Sequence, residues 1–230
     1  MSIENELIAE LKSLGIEFFH FVDISQLPND QNKHYRNAIL FGITLSPGYL
    51  HEIISNPNFV QDMVRNNQTH EDEFDQKEAL VNKMADHIAD FIRTKGHPAY
   101  SQSENNITIT GFYDHTNHST PLPHKTIARL AGIGWIGKHN LLITRNYGSA
   151  VSICSVLTNA PLKTTLHTPV SPLCGNCTIC KEVCSTEAIR GNTWNVGTER
   201  NDLVDITKCT TCLKCLAFCP WTINYMKNNL

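Results

Sequence analysis

Hydrophobic positions follow two spacings along the first two thirds of the chain, one helical and one suited to strands. Leu7, Ile8, Leu11 and Leu14 recur at helical spacing and predict a short amphipathic helix over 5–14, stopped by Gly15. Apolar and aromatic runs at 16–22 and 38–45 predict strands, the second ended by Ser46-Pro47-Gly48. The longest helical signal covers 71–95, where Leu80, Val81, Met84, Ala85, Ile88, Ala89 and Ile92 form one core-facing stripe and Gly96 supplies the stop. Further short strands are predicted at 98–100, 107–110, 141–144 and 150–157, with a helix at 126–130. Helices and strands mixed in this way predict an α/β or α+β layer fold.

After residue 160 the pattern changes. The segment 161–172, with prolines at both ends and several threonines, has loop composition. No cysteine precedes Cys154, and eight of the nine lie between 174 and 219. The chain is therefore expected to divide into an α/β body over 1–165 and a small cysteine-dense domain over 166–230. Cys154 itself stands in an apolar run and reads as a buried core thiol.

The cysteines carry the chemistry. Cys174, Cys177, Cys180 and Cys184 share the spacing C-x2-C-x2-C-x3-C with Cys209, Cys212, Cys215 and Cys219, and Pro220 completes the Cys-Pro ending of bacterial ferredoxins. Three thiolates two residues apart wrap one face of a four-iron cube, while the fourth points away towards the neighbouring cube. That assigns Cys174, Cys177, Cys180 and Cys219 to one [4Fe-4S] cluster, and Cys209, Cys212, Cys215 and Cys184 to the other. Structural zinc also uses paired C-x2-C, but has no use for a repeated three-cysteine run with a fourth at fixed spacing. Ser185 stands where the first motif would usually carry proline, a position that shapes backbone and ligates nothing.

Charge and length narrow the partners. The 230 residues carry a formal net charge of −3. Two oxidised all-cysteine clusters would each add about two negative charges. That balance argues against a general nucleic-acid binder. The acidic first residues lack the basic n-region of a signal peptide, and no stretch approaches a membrane span, so no membrane partner and a cytoplasmic location are expected.

A second dense segment runs from Pro121 through His124 and Lys125 to Gly132, Gly134, Trp135, Ile136, Gly137 and Lys138. Three glycines in six residues allow close backbone approach, either to a cofactor or within a tight structural turn. The spacing is neither a Walker A loop nor a dinucleotide fingerprint. This segment, followed by Tyr147, Gly148 and Ser149, a strand, and two cluster motifs ending Cys219-Pro220-Trp221, resembles the epoxyqueuosine reductase family, relatives of the reductive dehalogenases. The resemblance implies a nitroreductase-like α/β body that binds cobalamin, with the two clusters delivering electrons to cobalt. Residues 132, 134–138 and 147–149, with His124 and Lys125, would then contribute to the corrinoid pocket. In the family's Asp-Thr-x-Pro stretch the acid is the proposed proton donor; here His118 stands in its place, either as the donor or as a surface residue.

The family's C-terminal helical-repeat domain has no counterpart after Cys219. With the acidic charge, this sets the expectation that the substrate is a small molecule rather than tRNA, with an external donor such as ferredoxin or flavodoxin supplying electrons. Two other readings remain open. One is a corrinoid carrier, or a partner that re-reduces another enzyme's cobalamin. The other is a reductase using FMN, which nitroreductase-like bodies also hold.

Overall fold

The computed structural model describes residues 2–56, 58–164 and 167–229. The chain forms two compact units, each built from separated segments: Met1–Ile43, Lys77–Gly132 and Ser152–Thr168 in the first, Thr44–Gln76, Ile133–Val151 and Pro169–Leu230 in the second. The single division expected between 165 and 166 falls on residues outside those described.

The first unit is organised by a four-stranded sheet in which Phe18–Asp23, Asn37–Thr44, Val151–Thr158 and Ala99–Ser101 lie side by side in that order. Its strands are β1 (Phe18–Asp23), β2 (Asn37–Thr44), β3 (Ala99–Ser101) and β6 (Val151–Thr158). β1 and β2 pair antiparallel, with Phe18 opposite Gly42 and Asp23 opposite Asn37; β3 and β6 pair antiparallel, with Ala99 opposite Thr158. The helices Ile3–Ser13 and Glu73–Thr94 supply the apolar faces that cover the sheet. Leu7 and Leu11 from the first meet Ile88, Ala89 and Ile92 from the second over Ile39, Phe41 and Val156. Each of these larger side chains, once fully buried, contributes roughly 1.5–3 kcal/mol from removal of its surface from water. Leu80, placed on the same stripe by its spacing, sits at the edge of the helix face and is 44% exposed. Cys154 is buried in this core, and burial pushes its thiol well above the usual range.

Most predicted elements appear within a few residues of their expected bounds. The strand expected at 107–110 does not: those residues belong to the helix Glu104–Ile109 and its end. Ser103 decides this by capping, its hydroxyl accepting the N–H of Asn106 at 3.2 Å. Ser46-Pro47-Gly48, read as a strand terminator, also starts the helix Pro47–Ser55. Ser46 is its cap and Pro47 occupies the first turn, where a missing N–H costs nothing.

Among its described residues the second unit has no large sheet. It holds a hairpin of β4 (Gly134–Ile136) and β5 (Leu142–Thr144), the helices Pro47–Ser55 and Phe59–Arg65, and the cysteine-bearing loops with their short helices. The helices Lys214–Ala217 and Pro220–Asn228 bury Leu216, Tyr225 and Met226 against Tyr49, Leu50 and Ile53 of Pro47–Ser55. Tyr225 Oη donates to the Leu45 carbonyl at 3.1 Å, tying the last helix to that early segment. A cysteine-dense stretch of about 60 residues carries too little apolar surface to bury itself. It completes its core with helix 47–55 and the hairpin, drawn from far earlier in the chain.

Candidate metal centre

Four thiols of the second unit, those of Cys174, Cys177, Cys180 and Cys219, line one cavity of about 130 Å³. A single water needs roughly 10–15 Å³ on the same measure, so this space takes a group of several atoms. Lys138, His139, Ile143, Leu173, Pro220 and Trp221 complete its walls. The loop turns at Gly175, whose φ is +49°, and Cys177 N–H donates to the Cys174 carbonyl at 3.0 Å. Cys180 lies in the short helix Ile179–Glu182, and Cys219 caps the helix that Pro220 opens. Burial, and then the neighbouring thiols of Cys174, Cys219 and Cys177, push the Cys180 thiol up to about 11.

The other four form a second set. Burial raises the Cys215 thiol strongly, and Cys212, Cys209, Cys180 and Cys184 add to it in that order. Thr211 and Leu213 adopt left-handed φ values of +51° and +57°, which turn the loop sharply between successive cysteines. Burial works to raise Cys184, but the hydroxyl of Thr186 and the N–H groups of Ile189, Ala188 and Thr186 outweigh it and lower the thiol. Those donors stabilise a thiolate, the form that binds iron. Cys180 of the first set and Cys184 and Cys215 of the second pack in one apolar cluster with Ala188, Ile189 and Val204, so the two sets adjoin.

Among the described residues, no three His, Cys, Asp or Glu side chains close on one point as a single-ion site requires. A four-iron cube takes one thiolate per iron and needs the sulfurs spread around it. The residues fit that group. The coulombic cost of gathering thiolates around one cavity is what the positive iron core offsets.

The glycine-rich segment divides between the units. Trp135 is fully buried, meets Trp221 edge-on at 4.9 Å and packs with Ile143, Cys174 and Cys219. A side chain at Gly134 would sit 2.1 Å from the Ile143 carbonyl oxygen, and one at Gly137 would sit 2.6 Å from its methyl. Gly134 is thus required by the β4–β5 hairpin itself, while at Gly137 the groups met are the side-chain ends of Ile143 and His139. Ile136 is buried. Lys138 is buried too and donates from Nζ to the Cys177 carbonyl at 3.0 Å.

Tyr147, Gly148 and Ser149 seat the turn before β6 on the last helix. Gly148 lies at φ +56°, where an added Cβ would stand 2.3 Å from the Thr222 nitrogen. Ser149 N–H donates to Thr222 Oγ1 at 2.9 Å, and Tyr147 packs edge-on against Tyr225 at 5.7 Å. These residues hold the helix that carries Cys219.

His118, His124, Lys125 and Gly132 belong to the first unit. A side chain at Gly132 would approach His167 Cβ to 2.8 Å. Lys125 lies in the helix His124–Leu130. His124 Nδ1 is 2.8 Å from Ser155 Oγ, which donates to Gln102 Oε1 at 2.8 Å; His124 is therefore the donor to Ser155, and burial pushes its imidazole down to about 4. His118 is exposed at φ +47° in the turn bridging Asp114 and Ser119, with Nδ1 3.2 Å from the Tyr113 hydroxyl. His139, on the cavity wall beside Lys138, was missed by a sequence reading that stopped at the lysine. It carries no spacing signal; only the hairpin turn brings it inward.

Fold and thiol sets together define a two-centre iron–sulfur protein with a mixed α/β body. No family model matches the chain. An epoxyqueuosine reductase from Aliivibrio fischeri is 36% identical over 95 residues, 41% of this chain and 23% of that protein. The solved epoxyqueuosine reductase in complex with a modified tRNA-Tyr stem loop covers 97% of this chain and 66% of its own, with a TM-score of 0.55 and 15% identity. A reductive dehalogenase whose structure was described as suggesting a mechanism for B12-dependent dehalogenation covers 97% of this chain and 33% of its own, with a TM-score of 0.62 and 15% identity. The chain is similar to epoxyqueuosine reductases over part of its length, and its fold is that of the solved epoxyqueuosine reductases and reductive dehalogenases. Its match spans under a quarter of the Aliivibrio protein.

The exclusion of tRNA in favour of a small-molecule substrate is overturned by this comparison. The curated relatives are epoxyqueuosine reductases, and one solved neighbour holds a tRNA stem loop. The error lay in treating a net charge of −3 as a property of every surface. A sum over the chain, much of it cluster-bearing sequence, says nothing about the local charge that meets a phosphate backbone. Among the described residues no helix is long and apolar enough to cross a membrane.

Proposed function

We propose that this protein is an oxidoreductase of the epoxyqueuosine reductase type, passing electrons through two [4Fe-4S] clusters to a bound cobalamin for reduction of a modified nucleoside in tRNA. The observation that carries this reading is the adjoining of the two thiol sets at Cys180, Cys184 and Cys215, which makes a short two-centre path. Cobalamin, when bound, would supply a cobalt centre reducible to a strongly nucleophilic state. Support for such a group comes from Trp135, whose indole N–H is fully buried and finds no acceptor among the described residues. A donor stranded in this way costs about 1–3 kcal/mol unless a ligand accepts from it. Gly134, by contrast, is explained by the close approach of the Ile143 carbonyl within the hairpin.

In this reading the nitroreductase-like body is the cobalamin-binding part and the cysteine-rich unit is its ferredoxin-like electron supply. His118 serves as proton donor, its exposed turn fixed by the Asp114–Ser119 bridge. The test is an anaerobic titration of iron-loaded protein with cobalamin, read by visible absorbance and EPR, followed by turnover on an epoxyqueuosine-bearing stem loop under dithionite. Binding with cobalt reduced through the clusters, and conversion of the stem loop, is the expected result. Absence of cobalamin binding at high micromolar concentration overturns the reading, and a yellow chromophore surviving cluster removal replaces cobalamin with FMN.

A further inference from the structure

The wall of the first thiol cavity contains a charge that iron ligation does not require. Of the residues lining it, four are the cysteines and five are Ile143, Leu173, Pro220, Trp221 and His139. The tenth is Lys138, 8% exposed, with Nζ held 3.0 Å from the Cys177 carbonyl. His139 accepts the Leu141 N–H at Nδ1, 3.1 Å away, so in this arrangement its ring carries one proton, at Nε2, and no charge. Lys138 is thus the fixed cation on that wall among the described residues. Burying an ammonium is costly unless something nearby repays it. One carbonyl oxygen is a weak return for a full charge.

A four-iron cluster with four thiolates carries about two negative charges when oxidised and about three when reduced. A cation fixed at the cavity wall interacts more favourably with the reduced form, because that form is more negative. We infer that Lys138 sets the reduction potential of the cluster held by Cys174, Cys177, Cys180 and Cys219, raising it so that this centre accepts the electron. One electron leaves the reduced cluster at Cys184, Cys209, Cys212 and Cys215 and enters the first; no bond breaks and no proton moves. Lys138 acts through the cluster and is a positioning residue for charge. The inference rests on the two-cluster reading above.

The experiment is an anaerobic redox titration of iron-loaded protein, monitored by EPR, with iron and sulfide counted beforehand. Lys138→Gln keeps a hydrogen-bond donor to Cys177 and removes the charge; Lys138→Arg keeps the charge. Expected is a fall in the reduction equilibrium of one of the two centres by at least about tenfold, about 59 mV for one electron, in the Gln variant. The other centre stays unmoved, and the Arg variant lies near the parent. Equal potentials in parent and Gln variant overturn the inference, as does an Arg variant shifted as far as Gln. Loss of half the iron in the Gln variant also overturns it, since Lys138 then only holds the loop. Parent protein that binds no iron–sulfur cluster at all instead fails the reading beneath it, a result visible in the iron count before any titration.

Discussion

The two units reach stability by different means. In the first, Leu7, Leu11, Phe41, Ile88 and Ile92 interlock between two helices and a sheet in one continuous apolar core. In the second, apolar packing is broken into small groups around Leu50 and Tyr225, around Ile189 and Val204, and around Trp135 and Ile143. Between these groups lie thiols that burial, and after it the neighbouring thiols, push upward at Cys180 and Cys215, so that gathering them as thiolates is costly without a positive partner. A fold whose binding groups repel one another gains its folding energy at the moment of ligation. The same chain thus joins a unit stabilised by burial to one stabilised by its cargo.

The largest expected effect separates them outright. Stripping iron with a chelator under anaerobic conditions should abolish amide-exchange protection in 133–151 and 169–229 while leaving it in 37–43 and 81–92. Hydrogen exchange read by mass spectrometry checks this, and uniform loss in both units would break the comparison. In the same vein, Cys212→Ala should lose about half of roughly eight irons, since only one set loses a ligand.

A smaller effect belongs to the first unit alone. Burial depresses His124 to about 4 from an ordinary 6.5, and its Nδ1–H is committed to Ser155. The folded state therefore binds this proton less readily than the unfolded chain. Its contribution is fully present above about 6.5 and is lost as pH falls through that value towards 4. The loss is on the order of 2 kcal/mol after allowance for partial exposure. His124→Gln should flatten the pH dependence of the first unit's unfolding between those values, measured by denaturant titration. An unchanged slope would assign the acid sensitivity elsewhere.

The contrast between units also decides what could be read from sequence. The stripe from Val81 to Ile92 and the run from Ala38 to Ile43 were legible because a burial-driven core writes itself as periodicity. Cysteine spacing was legible to the extent that the structure brings Cys174, Cys177, Cys180 and Cys219 to the wall of one cavity. Glu104–Ile109 was misread because Ile107 and Ile109 alternate like a strand, while the deciding group was the Ser103 cap outside the run. Pro47–Ser55 was hidden behind residues that also terminate strands. His139 and Thr222 carry no pattern at all. They matter only because a hairpin turn and the helix after Cys219 place them, and contacts of that range leave no local trace. Gly134 announced a close backbone approach, and within the hairpin the Ile143 carbonyl is one group that makes it.

The smallest effect sharpens the comparison most, because it asks where a lost hydrogen bond becomes visible. Tyr225 Oη donates to the Leu45 carbonyl at 3.1 Å inside the second unit's apolar cluster. Tyr225→Phe removes the donor and leaves the ring, at a cost of about 0.5–1.5 kcal/mol. In the first unit a loss of that size would appear directly as a lower denaturation midpoint. In the second, metal binding and folding are one equilibrium, so destabilising the folded form weakens its hold on iron by the same free energy. One kcal/mol corresponds to about fivefold. The expected result is therefore about fivefold easier iron extraction by a chelator, with exchange protection at 81–92 unaltered. Iron retention equal to the parent's, beside a lowered midpoint of the whole chain, would mean that the second unit stands on its apolar contacts after all.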